Sequence, residues 1–167
     1  VVRAIWRETN IAPTQRGRYI EEILAYTKFR VGDIKWTNEL GETNGKVAFY
    51  SVFSSKAISV KSAGSLSNIN TFAYFKQIYE GGMKFGINVP TIVNGELTDV
   101  LTRFDKLDIE VIVPDNVNIS SSQITDKINS MYTSIADRIR LNPNSYPELV
   151  GRNVRDFLDI KIGFGYD

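Results

Sequence analysis

The clearest alternation of apolar and polar residues lies in the last third of the chain. From Leu107 to Val113 every second residue is apolar, and Asp108 and Glu110 occupy positions between them. A period of two predicts a β-strand with one buried face. We therefore expect the two acidic side chains to lie on a solvent-exposed face, and Pro114 to end the strand.

A strongly amphipathic helix is predicted directly after this strand. Isoleucine and methionine recur every three or four positions within Ser121–Leu141, which is the spacing of one helix face. Ser120 precedes Gln123 by three residues, the arrangement of a capping box. A second alternating segment, Phe157–Phe164, predicts a final strand, so this third of the chain forms a strand, a helix and a strand.

The first third predicts a helix followed by short strands. Apolar residues recur at helical spacing in Thr14–Phe29, and Pro13 suits the beginning of a helix. Strands are expected at Asp33–Trp36 and Lys46–Phe53. The Asn-Gly pair at 44–45 lies between them and is a strong hairpin signal.

The middle of the chain contains two less regular segments. A strand is predicted near Ala57–Lys61, and the Ser-, Asn- and Gly-rich segment Ser62–Asn70 predicts a long mobile loop around residues 62–70. Thr71–Tyr79 is rich in aromatic residues and fits either a strand or a helix.

Glycine and proline positions predict where the following elements end. The pair Gly81–Gly82 is expected to end the aromatic segment under either interpretation. Short strands are expected near Lys84–Val89 and Thr91–Val93, with Pro90 and the Asn-Gly pair at 94–95 as turns.

These elements predict one α+β domain of 167 residues. Its antiparallel sheet would be flanked by an N-terminal helix and by the long amphipathic helix in the C-terminal half. No apolar run approaches the roughly 20 residues of a membrane-spanning helix, so no membrane partner is expected.

Composition excludes several classes of function. The chain has 20 basic and 19 acidic residues, a formal charge of +1, so no long-range field favours nucleic acid or anionic lipid. It contains neither Cys nor His. Thiol nucleophiles, imidazole catalysis and the usual zinc ligand sets are therefore excluded.

One catalytic hypothesis is a Mg²⁺-dependent nuclease of the restriction-enzyme type. Glu22 would lie on the first helix, Asp33 would bind the metal, and Lys61 would lie near the attacking water. This chemistry requires an acidic residue two positions before the lysine, where the chain has Ser59. Solvated surface charges are the alternative.

Two further hypotheses use charged residues. Asp105, Asp108 and Glu110 are candidates for a glycosidase pair, although two acids on an exposed strand face are commonly just its polar side. A small nucleic-acid-binding module would use an early cluster of basic and aromatic residues, which Glu21, Glu22 and Asp33 interrupt. That cluster comprises Arg16, Arg18, Lys28, Arg30, Lys35 and Trp36.

The C-terminal order resembles that of the tail-terminator, or tail-completion, proteins of long-tailed bacteriophages. The resemblance is carried by the strand core Ile109–Pro114, the long amphipathic helix, a Pro-containing loop and the final strand Asp159–Asp167. Phage baseplate proteins with a related strand–helix–strand ending are also similar.

The resemblance implies a structural protein of the virion, assembled in the host cytoplasm, that forms a ring of identical subunits, commonly six, and contacts other virion proteins. It implies no catalytic residue and no cofactor. Nine Phe and eight Tyr residues fit either subunit contacts or a well-filled core.

The residues predicted to make subunit contacts come from the two-sided apolar strand, the long polar loop and the aromatic segment after it. The loop and the hairpin at 44–45 would become ordered against neighbouring subunits. The contact residues are Phe49, Tyr50, Phe53, Ser65, Leu66, Asn68, Phe72 and Tyr74.

Overall fold

The computed structural model describes residues 5, 8, 10–27, 33–40, 46–115 and 117–165. Within these residues, three short 3-10 turns lie between the main elements, at Thr37–Leu40, Leu66–Asn68 and Pro147–Leu149. The helices and strands are α1 (Pro13–Thr27), β1 (Lys35–Trp36), β2 (Phe49–Ser51), β3 (Lys56–Ser62), α2 (Thr71–Tyr79), β4 (Ile87–Val93), β5 (Glu96–Thr102), β6 (Lys106–Val113), α3 (Ser121–Leu141), α4 (Val154–Phe157) and β7 (Leu158–Phe164).

The described strands form one five-stranded sheet and one two-stranded hairpin. The order in the larger sheet is β1-β2-β3-β6-β7. Strands β1, β2 and β3 pair in antiparallel fashion, and so do β4 and β5 in the hairpin. Strands β3, β6 and β7 pair in parallel.

The α+β class is confirmed, and the parallel pairings correct the expectation of an antiparallel sheet. Helix α3 lies between β6 and β7, so it returns the chain to the end of the sheet where β6 began. A helical crossover of this kind joins parallel neighbours. The sequence pattern alone does not give strand direction.

Helices cover both faces of the larger sheet. On one face, Ile20 and Leu24 of α1 pack with Phe49, Ile58 and Ile112 in a small core. On the other face, α2 and α3 cover the sheet over a larger core. The residues of β6 and α3 in that core are Leu107, Ile109, Val111, Val113, Met131, Tyr132, Ile135 and Ile139.

The long C-terminal helix has the predicted bounds and the predicted capping box. The Ser120 hydroxyl accepts a hydrogen bond from the Gln123 backbone N–H at 3.2 Å, and the Gln123 side-chain amide oxygen accepts one from the Ser120 backbone N–H at 2.8 Å. The first helix begins one residue earlier than predicted and ends at Thr27. Phe29 and the Asn-Gly pair at 44–45 lie outside the described residues.

The pair Gly81–Gly82 does not end a helix, which corrects the sequence-based expectation. Helix α2 continues into a π-helical turn over Glu80–Lys84. A Cβ at Gly82 would lie 2.8 Å from Cδ2 of Leu107 and 2.9 Å from Cβ of Ala57. The glycine therefore allows this turn to approach the sheet closely.

The hairpin β4–β5 also differs from the expectation of two short strands separated by a turn at Pro90. Strand β4 is continuous through Pro90, which is tolerated because β4 has only one strand neighbour among the described residues. The turn lies at Asn94 and Gly95, with φ of 52° and 82°, as Asn-Gly hairpins require. Strand β5 is a finding that the sequence did not predict.

The segment at residues 62–70 contains a 3-10 turn and is anchored by Ile69, which is buried. Its predicted mobility stays a prediction. Within the described parts of the chain, no helix is both long enough and apolar enough to cross a lipid bilayer.

Candidate functional site

Two of the predicted contact residues are core residues of the subunit itself. Phe49 is completely buried between α1 and the sheet, and Tyr50 is buried on the opposite face, where its ring lies 5.9 Å from the ring of Phe104. Neither offers surface to a neighbour. Strand β2 is apolar on both faces because both faces are covered by helices or by Phe104, which corrects its interpretation as a contact strand.

The other predicted contact residues fall into two groups. Phe53 is 92% exposed, in the turn before β3. The second group follows the other end of β3, about 20 Å away by the rise of a seven-residue strand. Its members are partly or fully exposed: Ser65, Leu66, Asn68, Phe72 and Tyr74.

Among the described residues, the largest group of exposed apolar side chains lies instead on the hairpin β4–β5. Its base is anchored, because Ile87 and Val89 are buried in the larger core. Beyond the base, Ile92, Leu97 and Leu101 are 68%, 72% and 54% exposed. Soluble monomers rarely expose several large apolar side chains side by side, so this hairpin is a candidate contact surface.

One face of the hairpin carries most of these side chains. The register pairs Ile92 with Leu97, Pro90 with Asp99, and Asn88 with Leu101, so these residues lie on one face. We call Pro90, Ile92, Leu97, Asp99 and Leu101 the outer face. The sequence signal for this hairpin is the Asn-Gly turn with apolar residues on both sides. The strand after the turn, β5, was not predicted from the sequence.

A candidate polar site joins α1, β3 and α2. The Lys61 ammonium donates a hydrogen bond to the Gln77 side-chain oxygen and lies 5.8 Å from the ring centre of Tyr74. Burial raises the pKa of Glu21 from 4.5 to about 7, and the positive charge of Lys61 opposes that rise. Burial likewise lowers the pKa of Lys61, against the attraction of Glu21.

This polar site differs from the predicted nuclease site in two of its residues. Glu22 is exposed on α1, and its neighbour Glu21 interacts with Lys61. The Asp33 carboxylate accepts a hydrogen bond from the Ser51 hydroxyl. The Ser59 hydroxyl, two positions before Lys61, is buried and has no hydrogen-bond partner within the described structure.

The prediction that Asp108 and Glu110 face solvent is wrong. They are 3% and 4% exposed and lie on the sheet face that α1 covers, together with Ile112. Lys161, on the adjacent strand, contacts Asp108 at 3.4 Å. Burial raises the pKa of Asp108, and the charge of Lys161 opposes that rise.

Where the structure describes them, the remaining charged candidates do not converge on one site. Asp105 is exposed, and its backbone N–H donates to the Ser55 carbonyl at 3.0 Å. Trp36 of the basic cluster is half-buried, with its ring 6.5 Å from that of Tyr26 in an edge-on arrangement. Lys28 and Arg30 lie outside the described residues.

The described residues contain no group of three or more Asp, Glu, His or Cys side chains placed to hold a metal ion. Compared with protein-family models, curated proteins and solved structures, the chain matches none.

Proposed function

We propose that this protein is a structural subunit of a virion, a phage tail, neck or baseplate protein that assembles into a ring through contacts between identical subunits. The observation that carries the proposal is the projecting hairpin β4–β5, whose outer face exposes Ile92, Leu97 and Leu101. Full burial of one such side chain contributes about 1.5–3 kcal/mol. Three of them supply a substantial part of a subunit contact.

The sequence supports the same proposal from a different direction. The strand–helix–strand ending formed by β6, α3 and β7 is the part of the chain that resembles phage tail-terminator proteins. The formal charge of +1 offers no strong field for nucleic acid, which favours contacts made by shape and apolar area.

The mass of the native particle tests the assembly. Multi-angle light scattering is expected to give a multiple of 18.8 kDa, and negative-stain microscopy is expected to show closed rings. The double variant Ile92→Ser, Leu97→Ser is expected to reduce assembly, whereas Val52→Ser, an exposed apolar residue outside the hairpin, serves as the matched control. A strict monomer at high concentration would contradict the proposal.

The virion assignment has its own test. Mass spectrometry of purified phage particles from the source culture is expected to detect this chain in fixed proportion to the tail proteins. Rings in solution together with its absence from purified particles would retain the assembly and reject the virion role.

A Mg²⁺-dependent nuclease is the second candidate, favoured by the interaction between Glu21 of the first helix and Lys61 of β3. A nuclease would nick supercoiled plasmid in the presence of Mg²⁺ and lose that activity in Lys61→Ala but not in Lys35→Ala. A nucleic-acid-binding module would instead give a salt-sensitive gel shift. Our first proposal expects neither result.

A further inference from the structure

A groove near the C-terminal end of α3 has the properties needed to receive an apolar strand segment. It lies between the C-terminal half of α3 and the loop around Val150, with a volume of about 720 Å³. Ala136, Ile139 and Pro143 line one side, and Leu149 and Val154 line the other. Cavities of about 300–1,000 Å³ accommodate several side chains.

The rim of this groove is positively charged. Arg140, Arg152 and Arg155 are exposed lining residues, and no Asp or Glu lines the groove. Arg140 forms an ion pair with Asp137 at 3.4 Å. The Arg152 guanidinium lies 4.9 Å from the ring centre of Phe157. Arg155 donates a hydrogen bond to the Asn129 side-chain oxygen at 2.8 Å. Among the described residues, no carboxylate forms an ion pair with Arg152, so its guanidinium remains able to bind one.

The hairpin has the complementary composition. Its only charged residues from Ile87 to Thr102 are Glu96 and Asp99, and both are exposed. Asp99 lies on the outer face between apolar side chains, whereas Glu96 pairs with Val93 and lies on the opposite face of the hairpin. The hairpin is therefore apolar and acidic, whereas the groove is apolar and basic.

We propose that the outer face of the hairpin of one subunit docks into the α3 groove of a second copy of this chain, with Asp99 against Arg152. The inference rests on the proposed function and specifies its contact. Because the two surfaces differ, the contact is head-to-tail, and repetition of such a contact closes a ring when the rotation between subunits permits it.

Contact between two identical hairpins is less favourable. It would place Asp99 of one copy near Asp99 of the other, and like charges in an interface disfavour association. It would also leave Arg152 in the groove without an acidic partner. Charge complementarity therefore selects the hairpin-to-groove contact over hairpin-to-hairpin contact.

Reversal of charge on each surface tests the contact. The first variant carries Asp99→Arg, and the second carries Arg152→Glu. In each variant alone, the hairpin and the groove would carry charges of the same sign and repel each other. We therefore expect the dissociation constant between subunits to rise by about a hundredfold. Equilibrium sedimentation measures this constant, and circular dichroism verifies that each variant is folded.

Mixing the two variants provides the decisive measurement. In a 1:1 mixture, the hairpin of each variant finds a groove of opposite charge only on a subunit of the other variant. Assembly is therefore expected to return, with the two variants alternating. A chain carrying both substitutions should also assemble. As a matched control, Arg18→Glu combined with Glu22→Arg, two exposed changes on α1, should leave the dissociation constant unchanged.

The outcomes separate this inference from the proposed function. Rings that persist in both charge-reversed variants, or variants that do not recover on mixing, overturn the hairpin-to-groove contact and leave the ring proposal intact. A wild-type chain that is monomeric at every concentration overturns both.

Discussion

Strands β5 and β6 follow each other in the chain, yet their surroundings are opposite. Every residue from Leu107 to Val113 in β6 is buried, although two of them are acidic. Every residue from Glu96 to Leu101 in β5 is exposed, although three of them are Leu or Val. Burial in this protein therefore follows the position of a strand in the fold more closely than its composition.

The difference has a simple structural cause. Strand β6 lies between β3 and β7 and has helices on both faces, so even Asp108 and Glu110 have little access to water. Within the part of the chain that the structure describes, each hairpin strand has only one strand neighbour, and no helix covers the outer face. An apolar strand left exposed in this way is available for contact with another chain.

The largest expected effect contrasts a leucine in each strand. Leu107→Ala in β6 should lower the free energy of unfolding by about 2–5 kcal/mol, because it removes a fully buried side chain. Leu97→Ala in β5 should change the free energy of unfolding of the monomer by less than about 0.5 kcal/mol. Urea denaturation of dilute protein measures both, and equal losses would contradict the comparison.

A smaller effect is expected where the π-helical turn approaches β6. Gly82→Ala places a methyl group within 3 Å of Leu107 and Ala57, and overpacking of this kind costs about 1–3 kcal/mol. Gly17→Ala in α1 meets no atom within 4 Å and should stabilise the protein by about 0.5–1 kcal/mol. Thermal unfolding measures whether each substitution raises or lowers the melting temperature. Stabilisation by Gly82→Ala would show that the π-helical turn can accommodate a methyl group beside the sheet.

A pH dependence is expected from the partly buried Glu21. Because burial raises its folded-state pKa from 4.5 to about 7, protonated Glu21 is favoured in the folded protein. Its stabilising contribution is complete below pH 4.5 and is lost as the pH rises through 7. Glu21→Gln should therefore be more stable than the wild type at pH 8, by about 1 kcal/mol after solvent screening.

The measurement is denaturant unfolding at several pH values between 4 and 8. Glu22→Gln, the exposed neighbour, should follow the wild-type curve. A Glu21→Gln curve parallel to that of the wild type would show that Glu21 titrates normally.

The smallest effect concerns the end of the helix that covers β6. Ser120→Ala removes the hydroxyl that caps α3 and should destabilise the protein by about 1 kcal/mol. Ser121→Ala, in the exposed first turn, lacks that role and should change stability by less than about 0.5 kcal/mol. Thermal melts of the two variants compare them directly, and equal shifts would exclude a specific role for the cap.

Local chemistry made several elements predictable. The capping box at Ser120 and the helical period after it determine α3, and alternation determines β6, because these signals depend on residues only a few positions apart. Phe49 and Tyr50 show the limit of such reasoning: an apolar strand was recognised, but whether its two faces meet helices or neighbouring subunits depends on distant segments.

The sequence by itself thus determined the α+β class, the bounds of α3 and the Asn-Gly turn of the hairpin, since each follows from local backbone and side-chain chemistry. Only the tertiary structure decided that β3, β6 and β7 run in parallel, that Asp108 and Glu110 are buried, and that the hairpin projects uncovered. These properties depend on which elements become neighbours, and a chain read residue by residue does not contain the distances between segments far apart in it.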